Sequence, residues 1–173
     1  MKKFVLALTG PTGSGKTTVA EKLSKQLDKC VNIDADHIKH SIPSGFYKDE
    51  SNPGGWSFNR WKLVGKSLGL LAKNFQVEGY DVIINGYIEV EAWDEIEKII
   101  SISHKVLLLP ELVKNQKRDN GRSDEIKMGK ESVKAHQDYF RSNDYYHGFT
   151  KLDSSNDTIE ETVENIKKII GYL

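Results

Sequence analysis

GPTGSGKT, residues 10–17, constrains the fold and the chemistry of this chain more than any other segment. It matches the pattern G-x-x-x-x-G-K-[ST] at every fixed position, after a short apolar run at residues 3–8 and before a segment of helical periodicity. Glycines in such a loop let backbone N–H groups turn inward around phosphate oxygens, and the following helix adds the positive end of its dipole. We therefore predict a phosphate-binding loop between a first strand and a first helix.

The side chains of this phosphate loop (residues 10–17) have separate predicted tasks. Lys16 reaches the outer phosphates of a nucleotide as a point charge, and Thr17 offers its hydroxyl to Mg²⁺. ATP and Mg²⁺ are therefore the predicted cofactors. The alternative is a chance glycine-rich turn before a helix, which the flanking patterns disfavour. The predicted nucleotide-binding residues in and beside the loop are Gly10, Thr12, Gly13, Ser14, Gly15, Lys16, Thr17 and Thr18.

Strand and helix patterns alternate along the rest of the chain. Short apolar runs predict further strands at residues 30–33, 81–84, 105–109 and 149–152. Helical spacing predicts helices at residues 16–28, 37–42, 61–79, 90–102, 112–140 with a break near 119–122, and from Asp157, which pairs with Glu160 as a start signal. Residues 43–57 have the composition of a loop. We predict an α/β fold of the P-loop nucleoside triphosphate hydrolase type, a five-stranded parallel sheet with helices on both faces.

Composition excludes several classes of function. The 173 residues carry 25 basic and 25 acidic side chains, so the chain has no general attraction to nucleic acid or to anionic lipid. We predict one domain over residues 1–173, no membrane span and no nucleic-acid partner. Cys30 is the single cysteine, which excludes an internal disulfide and fits a cytoplasmic location. The sequence leaves the oligomeric state open.

The ends of the second and third predicted strands carry the other candidate residues, because ligands gather at the carboxyl ends of parallel strands. The second strand ends at Asp34-Ala35-Asp36, and the third is followed by Asn85. One of the two carboxylates can hold a water of the Mg²⁺ shell, and the other can orient or deprotonate an attacking hydroxyl. The alternative is that one of them only caps the next helix.

Taken together, these segments resemble the small P-loop kinases, which include shikimate kinase, gluconate kinase and chloramphenicol phosphotransferase. The resemblance covers nearly the whole chain. It implies an ATP-dependent phosphotransferase that acts on the hydroxyl of a small-molecule acceptor, with acceptor-side elements over about residues 36–78 and a lid over about residues 115–130. It rests on the phosphate loop, VNIDADHIKHSIP (31–43), YDVIINGYI (80–88), the basic segment after the fourth strand, and KLDSSND (151–157).

The resemblance also implies roles for single residues. Asp36 corresponds to the carboxylate that contacts the acceptor hydroxyl, and Asp34 is similar to the carboxylate near the metal, which it would share with Thr17. Arg118 and Arg122 lie where these kinases carry lid arginines that close over ATP. Ser155 belongs to a turn placed like the loop that touches the adenine. The implied catalytic residues are Lys16, Asp36 and Arg118.

The acceptor itself stays open. The predicted acceptor-binding residues are Asp36, Arg60 and Asn85; Arg60 suits recognition of a carboxylate but is equally compatible with a surface position. The glycine-rich substrate loop of shikimate kinase and the acceptor motif of gluconate kinase are absent from the sequence. We interpret the five histidines as structural or exposed, since no pair has metal-site spacing, and Trp61 as a core residue.

Two other functions fit the same phosphate loop. The first is a nucleotide-binding switch or regulatory ATPase module, in which residues 43–57 contact a protein partner. The second is a polynucleotide 5′-hydroxyl kinase, against which the zero net charge weighs. Dependence of ATP turnover on a small acceptor separates the predicted kinase from the switch.

Overall fold

Five parallel strands form one sheet in the computed structural model, which describes residues 3–42, 58–124 and 127–172. The sheet order is β2-β3-β1-β4-β5, and every neighbouring pair is parallel. This confirms the predicted five-stranded α/β sheet. The strands are β1 Val5–Thr9, β2 Cys30–Asp34, β3 Asp81–Gly86, β4 His104–Leu108 and β5 Thr150–Leu152.

Helices connect these strands and pack on both faces of the sheet. In the described ranges, none of them is long and apolar enough to cross a membrane. The loop predicted at residues 43–57 lies outside the described residues. The helices are α1 Lys16–Lys25, α2 Ala35–His40, α3 Phe58–Val77, α4 Val90–Ile99, α5 Leu112–Asn120, α6 Lys130–Ser142 and α7 Ile159–Ile170.

The structure corrects the predicted start of the last helix and adds one element that was not predicted. The last helix is capped by Thr158, whose hydroxyl accepts from the Glu161 amide while the Glu161 carboxylate accepts from the Thr158 amide. The predicted Asp157–Glu160 pair was therefore wrong by one residue, because a hydroxyl and a carboxylate satisfy each other's orphan amides at that spacing. A 3₁₀ turn at Asp144–Gly148, which the sequence analysis did not predict, precedes β5.

Apolar side chains alternate between the two faces of the sheet. Within β1, Val5 and Ala7 join the core under α3, α4 and α6, whereas Leu6 and Leu8 join the core under α1 and α7. All five β1 residues are buried, as expected for the central strand of a parallel sheet covered on both sides. Trp61 lies in the first core and is 2% exposed, which confirms its predicted packing role.

The carboxyl ends of β1, β2 and β3 lie side by side. Leu8 of β1 and Asp34 of β2 both pair in register with Asn85 of β3, which places the three strand ends at one level. The Thr9 hydroxyl donates to the Gly86 carbonyl at 2.8 Å and fastens β1 to β3 at this level. The phosphate loop and the acid pair therefore emerge at the same end of the sheet, from β1 and β2, which lie on either side of β3.

Candidate active site

The phosphate loop turns sharply between β1 and α1. Gly13 and Gly15 have φ of +80° and +89°, in the left-handed region that glycine adopts without strain. Gly13 also lies against α5, because a Cβ there would come within 2.6 Å of the Asn115 carbonyl oxygen. Gly15 is the N-cap of α1 and has no side chain to occupy the first helical amides. These amides form the kind of backbone nest that binds phosphate.

Lys16 lies inside this loop, where its ammonium donates to the Pro11 carbonyl at 3.3 Å. Burial lowers the pKa of Lys16 to about 8; the nearby charge of Asp36 opposes this, while Arg122 and Lys39 add to it. The buried ammonium therefore lies among charges of both signs. A phosphate group in the loop would add negative charge beside it and stabilise its charged form.

The two carboxylates of the acid pair have different partners. Asp34 is the N-cap of α2, and its Oδ1 accepts from the Asp36 amide at 2.8 Å, so the capping alternative holds for this residue. Asp36 instead forms an ion pair with Lys39, whose Nζ lies 2.5 Å from its Oδ1. Burial would raise the pKa of Asp36, but Lys39 and then Lys16 outweigh it, and the net pKa lies below its usual value. Asp36 is therefore ionised at neutral pH.

Several oxygen atoms at this edge fit a hydrated Mg²⁺ ion. Thr17 is exposed at the start of α1, and Asp34 is the last residue of β2, on the far side of β3 from β1. Among the described residues, Ser14 Oγ and Asn85 Oδ1 are buried without a hydrogen-bond partner. Hydroxyl, carboxylate and amide oxygens can bind Mg²⁺ directly or accept hydrogen bonds from its waters. The residues present therefore fit a magnesium–nucleotide complex.

Asn85 does not reach the acceptor side. Its side chain is fully buried, and its amide donates to Asn32 Oδ1 at 2.8 Å and to the Ile33 carbonyl at 3.4 Å. The side chain thus ties β3 to β2 instead of facing solvent, so its position does not support the predicted acceptor contact. Arg60, at the start of α3, donates to the Ile42 carbonyl at 3.4 Å, beside the end of α2.

Four ring side chains form what we call the aromatic wall: Trp61, Tyr87, His136 and Tyr139. Tyr87 follows β3 and lies at the centre of the wall. Its ring centroid is 6.3 Å from that of Trp61, 4.5 Å from that of His136 and 5.9 Å from that of Tyr139. Lys39 extends along the wall, with Nζ 5.2 Å from the Trp61 ring and 6.0 Å from the Tyr87 ring. The wall and the Asp36–Lys39 pair therefore adjoin one another.

Lys39, Glu89 and His136 belong to this region but were not predicted as site residues. Lys39 is 9% exposed, which is unusual for a lysine, and its spacing of three from Asp36 on a helix was a signal that could have identified it. Burial and the charge of Glu91 raise the pKa of Glu89 to about 6. His136 was interpreted as structural or exposed, and nothing in its local sequence indicates its contact with the phosphate loop.

The lid arginines point to different partners. Arg118 donates to the Ser154 carbonyl at 2.9 Å, so it binds the turn predicted to touch the adenine. Arg122 is exposed, and its charge acts on Lys16. Ser155 is buried in that turn, where its Oγ accepts from the Glu111 amide at 2.7 Å. The charge of Arg122 therefore reaches the phosphate loop, whereas Arg118 is hydrogen-bonded to the turn that carries Ser154.

Asp119 joins the end of α5 to the start of α6. Its carboxylate is nearly fully buried, accepts from the Met128 amide at 3.2 Å and from the Gly129 amide at 2.9 Å, and lies 3.7 Å from Arg122. Charged hydrogen bonds of this kind are stronger than neutral ones. One buried carboxylate therefore sets where α5 ends relative to where α6 begins.

A profile of the AAA domain family matches residues 5–142, a span that includes the phosphate loop, the acid pair and both lid arginines. The chain belongs to the AAA domain family. No curated protein matches the sequence significantly. The match to this AAA domain covers most of the chain and all of the candidate site except the turn at Ser154 and Ser155.

Solved structures of small P-loop kinases share the architecture of this AAA domain. A sugar kinase from Janibacter sp. HTCC2649 is 16% identical with a TM-score of 0.74, covering 98% of this chain and 95% of that chain. The Deinococcus radiodurans tunicamycin resistance protein is 15% identical with a TM-score of 0.72, covering 99% and 97%. Shikimate kinase from Acinetobacter baumannii is 14% identical with a TM-score of 0.66, covering 97% and 93%. At these identities the similarity confirms the fold of the small P-loop kinases and nothing finer.

Proposed function

We propose that this protein transfers the γ-phosphoryl group of ATP to the hydroxyl of a small-molecule acceptor. One observation carries the proposal: Asp36, in the first turn of α2 directly after β2, lies close enough to the phosphate loop for its charge to act on Lys16. A phosphate cradle and an ionised carboxylate at the same end of the sheet are the two groups that phosphoryl transfer to a hydroxyl requires. The printed names of the similar structures, a sugar kinase and shikimate kinase among them, agree with this class.

On the donor side, the loop amides and Lys16 bind the β- and γ-phosphates. Thr17 and Asp34 would hold the magnesium ion and its waters. The metal–nucleotide complex supplies the phosphoryl group and neutralises charge on the leaving ADP. Arg122 takes the phosphate-facing role first predicted for Arg118, which stays with the turn at Ser154.

On the acceptor side, Asp36 orients the hydroxyl and receives its proton. A new bond forms between the hydroxyl oxygen and the γ-phosphorus as the bond to the β,γ-bridging oxygen breaks and ADP leaves. The aromatic wall and Lys39 line the approach to this carboxylate. Arg60 at the start of α3 is the further cation for an anionic acceptor.

The proposed division of the single domain follows the same lines. Residues 36–78 form the acceptor side, and residues 115–130 form the lid that carries Arg118 and Arg122. We place the protein in the cytoplasm, in keeping with its single cysteine. The acceptor is a small molecule such as a sugar, a sugar acid or an antibiotic, because the zero net charge gives no general attraction to a polynucleotide.

The test is a screen for acceptor-dependent release of ADP from ATP and Mg²⁺, with small alcohols, sugars, sugar acids and antibiotics as acceptors. Asp36→Asn should lower acceptor-dependent turnover by about 100-fold, since it removes the proton acceptor and keeps the shape. Asp138→Asn, at an exposed pair with Lys134 on α6, is the control and should retain full turnover. Equal turnover in Asp36→Asn would refute the assigned base, and slow hydrolysis indifferent to every acceptor would favour the regulatory ATPase.

A further inference from the structure

His136 contacts both halves of the candidate site. On the donor side, its Nδ1 lies 2.8 Å from the hydroxyl oxygen of Thr12 in the phosphate loop. On the acceptor side, its ring centroid lies 4.5 Å from that of Tyr87, with the two planes inclined by 36°. A ring pair at this separation is in direct contact. One side chain of α6 therefore joins the phosphate loop to the aromatic wall.

The bond to Thr12 joins two neutral groups at neutral pH. Burial lowers the pKa of His136, and the charges of Lys16 and Lys39 lower it further, while Asp119 partly opposes them. A neutral imidazole has one donor and one acceptor nitrogen, so it can bond a hydroxyl in either direction. The contact therefore adds no cation to a loop that already holds Lys16. Its contribution is to the position of Thr12.

The helix that carries His136 is itself fixed behind the loop. The Asn115 side chain donates to Gln137 at 2.5 Å, and the Gln137 side chain donates to the Pro110 carbonyl at 2.8 Å. Gly13 packs directly on the Asn115 carbonyl. These buried contacts tie α5, α6 and the end of β4 into one support. His136 is thus a rigidly mounted side chain, as a positioning role demands.

We propose that His136 is a positioning residue that holds the phosphate loop at Thr12 and sets it against Tyr87 of the aromatic wall. The second part rests on the proposed function, because it takes the wall to face the acceptor. The consequence is an energetic coupling between the two sites, since a shift of Tyr87 moves the ring that holds Thr12. Changes on the acceptor side should therefore alter nucleotide affinity without touching the nucleotide.

Two substitutions separate the contacts of His136. His136→Phe keeps a ring against Tyr87 but removes the nitrogen that bonds Thr12, and we expect ADP affinity in the presence of Mg²⁺ to fall about tenfold by calorimetry. His136→Asn keeps a polar atom near the Nδ1 position and should retain affinity within about threefold. His104, a half-buried histidine that packs on Phe4 at the opposite edge of the sheet, supplies the control, and His104→Phe should bind ADP normally.

A double-mutant cycle distinguishes positioning from a general loss of stability. Thr12→Val removes the hydroxyl and keeps the volume and the backbone amide, so it should weaken ADP binding by about the same factor as His136→Phe. The double variant should bind no more weakly than either single variant, because both changes remove one contact. Additive losses would show that the two residues act separately and would overturn the proposal. Far-ultraviolet circular dichroism of each variant checks that it is folded.

The coupling to the acceptor side is tested at Tyr87. Tyr87→Leu should weaken ADP binding about threefold in the wild-type background and not at all in the His136→Phe background. Unchanged affinity in Tyr87→Leu would refute the coupling, and unchanged affinity in His136→Phe would refute the whole inference. Both results differ from failure of the proposed function, in which the wild-type protein would show no acceptor-dependent release of ADP whatever its affinity for ADP.

Discussion

The phosphate loop and the aromatic wall face each other across the site, but they are assembled in different ways. The loop is eight consecutive residues, and its chemistry resides in backbone amides that glycine conformations orient. The wall is made of side chains from α3, from α6 and from the segment after β3, with Lys39 added from α2. The first depends on local conformation, and the second depends on how helices pack. A substitution in the loop should therefore act through backbone conformation, and one in the wall should act through side-chain packing.

The largest expected effect tests whether nucleotide binding by the phosphate loop depends only on the loop's own conformation or also on its contact with α5. Gly13→Ala places a Cβ within 2.6 Å of the Asn115 carbonyl oxygen and in a left-handed conformation, so the loop must move away from α5. We expect ADP affinity, measured by calorimetry with Mg²⁺, to fall by at least about 100-fold.

Gly171→Ala is the matched control for Gly13→Ala. Gly171 also has a positive φ, of +68°, but a Cβ there would meet nothing within 4 Å, and it lies at the end of α7. That variant should lose some stability and keep its ADP affinity. If Gly13→Ala binds ADP as well as Gly171→Ala does, the loop does not depend on its contact with α5.

The second-largest expected effect concerns Asp119, which joins α5 to α6, the helices behind the phosphate loop and the aromatic wall. Asp119→Asn replaces one accepting oxygen by a donating amide, which then opposes an N–H of Met128 or Gly129. We expect the free energy of unfolding in urea to fall by about 2–3 kcal/mol, because a buried donor loses its partner. Asp124→Asn, at an exposed position nearby, should change it by less than about 0.5 kcal/mol. Equal stability of the two variants would mean that Asp119 does not join α5 to α6.

The contrast between loop and wall also explains how much could be predicted from the sequence. The loop, the strand ends and the order of elements follow from periodicity and from one motif, since both express local conformation. The capping role of Asp34 was one of two open alternatives, because a carboxylate at a strand end fits both a metal and a helix start. The ion pair between Lys39 and Asp36 could have been predicted, because residues three positions apart on a helix lie on the same face.

The remaining features depend on contacts between residues far apart in the chain. His136 is 124 positions from Thr12, and no local pattern connects them. Asn85 was expected to face the acceptor, but β2 pairs beside β3 and supplies the partly buried Asn32 as a hydrogen-bond acceptor for its amide. Arg118 and Arg122 lie on either side of the end of α5 and were both predicted to close over ATP, yet Arg118 is hydrogen-bonded to the turn at Ser154 instead. Strand order and helix packing decide such contacts, and they are global properties of the fold.

The smallest expected effect lies on the wall side and depends on pH. Burial and Glu91 raise the pKa of Glu89 to about 6, above its ordinary value of 4.5, so the folded protein binds this proton more tightly than the unfolded chain does. The ionised carboxylate therefore destabilises the fold at pH values above about 6, and the effect vanishes below the unfolded pKa. Glu89→Gln should raise the free energy of unfolding by about 1–2 kcal/mol near pH 8, and this gain should shrink towards zero as the pH falls to about 4.5. Glu164→Gln, at a half-exposed pair with Lys167, is the control and should show no comparable gain. A gain for Glu89→Gln that stays constant with pH, or grows as the pH falls, would mean that the wall does not penalise this charge.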